Sequence, residues 1–201
     1  MSGHGKLGNP AVVGLAGFGG TTLLLQIHNL DLCGTGVVFC MALAFGGVAQ
    51  LIAGYQEFRV GNNFGFSAFV SYGAFWIALA MIWLVMDLQA AGVPWVAKHL
   101  KITAKDLGFF LLCYTFYTAI LWVAALRIHG MMAFTFTTLL IGFVGLDLVF
   151  LAGAKGLLAI TALDLVVCAL SAWYMMAHVI YLDTFGKDIL PVFQPWLKPA
   201  E

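Results

Sequence analysis

The chain has 201 residues, 63% hydrophobic and 9% charged, with a formal net charge of zero at pH 7 and a mean hydropathy of +1.00. A water-soluble domain carries about a quarter charged residues, so this composition excludes one and makes a bilayer the natural solvent. The charge balance also excludes a nucleic-acid binder, which needs a basic face to neutralise phosphates.

Six apolar runs are long enough to cross roughly 30 Å of hydrocarbon, which takes about 20 helical residues. They cover 10–27, 36–58, 64–86, 107–128, 131–151 and 157–181. The reading is an all-α integral membrane protein, with six transmembrane helices in one domain spanning 1–201. Continuous apolar runs exclude a membrane barrel, whose strands would alternate. The first run opens on Asn9-Pro10, with Asn as N-cap and Pro at the first helical position. If that end faces a vestibule, its free N–H groups and positive dipole make a carboxylate site; otherwise it is an interfacial cap. Lys6 precedes the run as in a signal peptide, but no small-x-small cleavage site follows, so the run is retained as a span. Between the third and fourth runs, residues 87–106 hold Pro94, Trp95, Lys98, Lys101 and Lys105, the pattern of a short interfacial segment, part helix.

An even number of spans puts both termini on one side. That side carries Lys6, Arg59, Arg127, Lys187 and Lys198, against Lys98, Lys101, Lys105 and Lys155 opposite, a five-to-four balance that favours cytoplasmic termini. Short termini without a targeting extension suggest the cell membrane of a prokaryote, crossed in multiple passes.

Small and hydroxyl residues recur at helical spacing within the spans: Gly14, Gly17 and Thr21; Gly46, Gln50, Ala53 and Glu57; Ser67, Ser71, Ala74 and Ala78; Thr135, Thr138, Gly142 and Gly145. Each set shares one helix face and is expected to face protein or water, because small residues let helices approach closely in lipid. An amide such as Gln50 needs partners in hydrocarbon, either from packing or from a wet cavity. Glu57 and Arg59 read as a snorkelled pair or as part of a pore mouth. Asp147 and Asp164 either cluster around Lys155 or relay protons. His178 is either a packing residue or a proton carrier.

Several patterns carry no chemistry. Gly3 to Gly8 spells G-x-G-x-x-G, but no strand precedes it. Cys33, Cys40, Cys113 and Cys168 form no C-x-x-C pair, and the five His are dispersed, so no metal site, disulfide framework or cofactor is expected. No Walker A, G-x-S-x-G or H-E-x-x-H motif and no nucleophile–base set is present, and an enzyme is not expected. Transport needs only a lined path, a constriction and a way to replace hydration.

Two longer segments are specific. Asn9-Pro10-Ala11-Val12-Val13-Gly14-Leu15-Ala16-Gly17-Phe18 resembles the N-P-A-P-[LF]-G-L-x-x-F signature of the acetate uptake transporter family, which includes the succinate-acetate permease and yeast ammonia/acetate transporters. The stretch from Gly46 to Trp76, with Gln50, Gly54, Glu57, Gly61-Asn62, Ser67, Tyr72-Gly73 and Phe75-Trp76, is similar to that family's G-G-x-x-Q-x-x-A-G-x-x-E-x-x-x-G-N-x-F-G-x-[TS]-x-F-x-x-Y-G-x-F-W block. Gly186-Lys187-Asp188-Ile189-Leu190-Pro191 resembles its G-[RK]-x-x-L-P tail, so the likeness runs from end to end.

The resemblance implies a homohexamer in which each protomer has its own path for acetate or another small monocarboxylate, and in some members succinate. Transport in the family is usually described as proton-coupled symport, with an anion channel as the alternative. It implies a hydrophobic constriction of Phe18, Tyr72 and Leu139, a dry ring that selects small monocarboxylates or gates by dewetting. Residues expected to bind substrate or line the path are Asn9, Pro10, Gly14, Leu15, Gln50, Glu57, Asn62 and Ser71. Val12 departs from the family's second Pro, and Leu182-Asp183 stands where the family has Asn-Glu. Asp147, Asp164 and His178 are the candidates for proton coupling, the two aspartates lying outside the shared motifs.

Overall fold

The computed structural model describes residues 8–198. The Gly3–Gly8 run, except for Gly8, and Lys6 lie outside the described residues. Within them the chain forms eight α-helices: α1 Ala11–Asn29, α2 Thr35–Met41, α3 Gln50–Arg59, α4 Asn63–Ala90, α5 Pro94–His99, α6 Ala104–Ala125, α7 Gly130–Leu151 and α8 Leu158–Phe185. A π-helical stretch, Ala42–Ala49, joins α2 to α3 into one continuous rod. Six rods are long and apolar enough to cross a membrane.

The spans close into a ring. The first (α1) packs against the sixth (α8) and the second (α2 to α3); the second packs against the third (α4); the fifth (α7) packs against both the fourth (α6) and the sixth. Third and fourth spans approach least closely at the backbone, and tyrosine side chains fill the gap between them.

Local chemistry explains most helix ends. Asn9 Oδ1 accepts a hydrogen bond from the Ala11 amide at 3.0 Å, as expected of a capping Asn before Pro10. Asn62 caps α4 through the Gly65 amide at 3.1 Å. Thr103 and Asp106 form a reciprocal capping box on α6, so the fourth span begins three residues before its apolar run and ends at Ala125 rather than at 128. The third span runs on to Ala90 and the sixth to Phe185; both helices outlast their apolar runs. Gly186, at φ 68°, supplies the left-handed C-cap that stops α8. The segment between the third and fourth spans contains the expected short helix, α5, with Trp95 61% exposed and Val96 turned inward.

One predicted face is different. Ser67 and Ser71 are half-buried and Ala74 is exposed, whereas Ala68, Phe69, Tyr72, Phe75, Trp76 and Leu79 are buried. The third span therefore presents aromatics to the core. The small-residue face is used as expected between the fifth and sixth spans, where an added Cβ at Gly145 would strike Thr161 and one at Gly142 would strike Leu165.

Residues 188–198 fold back as a strap. The Gly130 and Met131 amides donate to the carbonyls of Phe193 and Val192, and the Leu197 amide donates to Leu126. Free donors at the start of the fifth span and a free acceptor at the end of the fourth are thereby satisfied by the chain's last described segment.

Candidate functional site

The first span turns Leu15 and Phe18 into the ring, the third contributes Tyr72, and the fifth contributes Leu139. All four are 7% exposed or less. Two cavities meet at three of these side chains, Leu15 lining the first cavity alone. The cavity towards the chain ends has an empty volume of about 550 Å³ and is lined by Ala11, Leu15, Gln50, Asn62, Phe64, Gly65, Thr135 and Met175 among others. The cavity beyond has an empty volume of about 380 Å³ and is lined by Thr22, Leu25, Gln26, Phe75, Trp76, Phe143, Leu146 and Leu165. Phe18, Tyr72 and Leu139 line both and are the only residues common to the two linings. Phe18 and Tyr72 rings lie 5.7 Å apart, centroid to centroid. A third cavity continues past Leu25, Phe75 and Leu146 to His28, Asn29 and Asp87.

The electrostatics of the two central cavities follow from their linings. Among the described residues, no Asp, Glu, Lys, Arg or His side chain lines either one. Polar groups are few and incompletely paired: Gln50 is fully buried, and among the described residues neither its amide nitrogen nor its oxygen has a partner, nor does Trp76 Nε1 find an acceptor. One such group lines each cavity, so a guest could find a hydrogen bond on either side of the carbon ring that separates them.

Glu57 stands just behind the first cavity, 2% exposed. It accepts a 2.7 Å hydrogen bond from Asn62 Nδ2 and lies near the Ala11 amide at the start of α1. A Cβ on Gly65 would lie 2.7 Å from Asn62 Nδ2 and 2.9 Å from the Glu57 carboxyl carbon, so these paired side chains would have to shift to admit one. The pairing with Arg59 is replaced by this arrangement, because Glu57 turns inward while Arg59 is exposed.

Thus Leu15, Phe18, Gln50, Asn62, Tyr72 and Leu139 converge on one cavity, with Glu57 in support. Gly14 packs beneath Phe69. Asn9 and Pro10 line a surface groove with Gln56 and Arg59 rather than the cavity. Ser71 turns to Tyr117, whose hydroxyl it meets at 2.8 Å. Asp147 accepts from Thr115 at 2.6 Å, Asp164 is half-buried on the sixth span, and His178 Nδ1 lies 2.6 Å from the Leu190 carbonyl and 3.2 Å from Asp188. None of these three lines either central cavity, and among the described residues Lys155 makes no ion pair with either aspartate. The Lys155-centred cluster does not form: Lys155 is exposed in its turn, and Asp147 is met from the fourth span instead. No group of three or more His, Cys, Asp or Glu side chains gathers among the described residues.

Phe75 and Trp76, which the sequence offered only as the end of the shared block and not as site residues, line the second cavity with Gln26, for which it offered nothing. The signal for Trp76 was its place one helical turn beyond Tyr72, on the same face.

Comparison with known proteins agrees with the architecture. The GPR1/FUN34/yaaH family profile matches residues 2–189. The succinate-acetate/proton symporter SatP of Escherichia coli is 33% identical over 191 residues, covering 94% of this chain and 97% of the relative. Acetate permease A of Emericella nidulans is 44% identical over 80 residues, 38% of this chain and 27% of its own length. A solved structure described as the bacterial acetate channel SatP superposes with a TM-score of 0.84 at 33% identity, covering 93% of this chain and 99% of that one. With six membrane-length helices and this end-to-end similarity, the chain is a multi-pass membrane protein and belongs to the GPR1/FUN34/yaaH family.

Proposed function

We propose that this protein carries acetate and related small carboxylates, succinate included, across the cell membrane, through the two cavities that meet at Phe18, Tyr72 and Leu139. The observation that carries the reading is the sharing of those three side chains, and no others, by both cavities. A relative named as a succinate-acetate/proton symporter and a structural neighbour described as an acetate channel support the substrate class.

Transport is proton-linked through the substrate itself. A carboxylate that leaves water without a counter-charge pays a large desolvation penalty, and among the described residues no charged side chain lines either cavity. Protonated acetic acid avoids that penalty. Gln50 and Trp76 offer hydrogen bonds on the two sides, and the ring passes a methyl group and a neutral carboxyl. Glu57 and Asn62 hold the first cavity open rather than bind the anion. His178, Asp147 and Asp164, away from the path, influence coupling only indirectly. The assembly is a homohexamer with one path per protomer, as the family resemblance implies, and the balance of cations between the two sides favours cytoplasmic termini.

The second reading, an uncoupled anion channel, is favoured by the description of the structural neighbour. Radiolabelled acetate flux into proteoliposomes separates the two. Uptake driven by a pH gradient at zero voltage supports proton-linked transport. Flux that follows voltage and ignores the pH gradient establishes the channel, and no acetate flux under either force refutes both.

A further inference from the structure

The three tyrosines around the constriction all direct their hydroxyls away from it. Tyr72 OH lies 2.8 Å from Thr118 Oγ1 on the fourth span. Tyr117 OH donates to the Ser67 carbonyl at 2.9 Å, lies 2.6 Å from Ser67 Oγ and accepts from Ser71 Oγ at 2.8 Å. Tyr114 OH donates to the Ser71 carbonyl at 3.2 Å. These bonds bridge the third and fourth spans, which of the neighbouring pairs in the ring approach least closely at the backbone.

Thr118 is fully buried and lines neither central cavity. Its hydroxyl is the hydrogen-bond partner given to Tyr72 among the described residues, and the Tyr72 ring is held on its other sides by Phe18, Tyr114, Tyr117 and Phe136 at 5.7–6.4 Å. We propose that Thr118 is a positioning residue for solute selection: by taking the Tyr72 hydroxyl into the third–fourth span interface, it leaves only carbon facing the constriction and so excludes hydrated inorganic anions. The inference rests on the reading of Phe18, Tyr72 and Leu139 as the constriction.

The physical argument is one of satisfaction. A buried hydroxyl without a partner is costly, and Tyr72 without Thr118 has water within reach only in the two cavities that its ring separates. Turning the ring to recover a hydrogen bond places a hydroxyl in the lumen. A polar group at a dewetting constriction stabilises water there, and an ion that keeps part of its hydration can then follow.

The test is a variant set in proteoliposomes, with chloride leak and acetate flux measured side by side. Thr118→Val is expected to raise the chloride-to-acetate ratio by roughly tenfold, the scale of one lost buried hydrogen bond, and Thr118→Ser is expected to restore it. Tyr72→Phe has no hydroxyl to release, so Tyr72→Phe/Thr118→Val should match Tyr72→Phe alone. Thr118→Ala carries the same expectation as Thr118→Val and serves if the valine variant does not assemble. Unchanged chloride exclusion in both Thr118→Val and Thr118→Ala overturns the proposal, as does a double variant that leaks like Thr118→Val, since that leak would come from general loosening. Phe18→Ala separates the layers: if it alters flux or selectivity while the Thr118 variants are silent, only this inference fails. If Phe18→Ala is silent too, the constriction lies elsewhere.

Discussion

Gly17 and Gly142 both sit where two spans touch, yet alanine should act differently at each. A Cβ on Gly17 would lie 2.5 Å from the Phe45 carbonyl oxygen and 3.3 Å from its carbon. Those are backbone atoms of the π-helical stretch, and relief requires the first and second spans to separate. Overpacking of this kind costs about 1–3 kcal/mol, a Tm loss of roughly 3–10 °C for a protein of this size. The displaced helix also carries Phe18, so acetate flux should change as well. A Cβ on Gly142 would meet Leu165 Cγ at 2.5 Å, and the other close atoms are the terminal methyls of that side chain. Leu165 lines the second cavity and can swing into it at the cost of an imperfect rotamer, about 0.5–1.5 kcal/mol. Gly142→Ala should therefore keep most of its stability and lose flux because the second cavity narrows. Thermal unfolding of the detergent-solubilised variants, followed by size-exclusion recovery, gives the first quantity, and proteoliposome uptake gives the second. A Gly17→Ala protein that melts like the wild type, or a Gly142→Ala protein less stable than Gly17→Ala, refutes the reasoning.

Further outcomes are expected. Asn62→Leu removes both the helix cap and the donor to buried Glu57 and should cost about 2–4 kcal/mol, while Glu57→Gln, which keeps shape and bonding capacity, should be far milder; thermal unfolding ranks the two. Tyr117→Phe should lower stability by about 1–3 kcal/mol through three lost contacts yet leave acetate uptake near the wild-type rate, because Tyr117 lines neither central cavity. His129 accepts the Met132 amide at 3.1 Å and is held below its ordinary 6.5 by burial first and by neighbouring His178 second. Its folded-state value lies below the unfolded one, so its contribution is present above about pH 6.5 and is lost as pH falls through the folded value. His129→Asn, which keeps a capping acceptor without the titration, should flatten that acid-side loss in a pH series of melting curves. Asp147→Asn and Asp164→Asn should leave the pH dependence of uptake unchanged; a flattened dependence would restore them as proton carriers.

Hydropathy alone located the six spans, because a continuous apolar run of membrane length has few other uses. It misplaced their ends where polar chemistry decides: Thr103 and Asp106 start the fourth span before its apolar run begins, and Gly186 lets the sixth continue past Tyr181. The π-helical stretch was illegible. It lies where Gly17 and Thr21 of one helix meet Phe45 and Gly46 of another, a contact that no local pattern announces. The third span was read by its small residues, but a ring enclosing a path turns its aromatics inward, and Tyr72, Phe75 and Trp76 occupy that face. The residues at the junction of the cavities entered through motif resemblance, since nothing in spacing pairs Phe18 with Leu139. Thr118 had no signal, because its meaning depends on which span faces which.

The strap of residues 188–198 has a consequence for biogenesis. The first amides of the fifth span are capped by carbonyls that leave the ribosome only after the whole sixth span has been made. Until then the Gly130 and Met131 amides lack these acceptors, and only the His129 cap on the Met132 amide can close the opening turn. Insertion of this chain thus ends with a locking step at the membrane surface. A nascent chain arrested before Val192 should present a protease-sensitive link near His129 that the released protein protects.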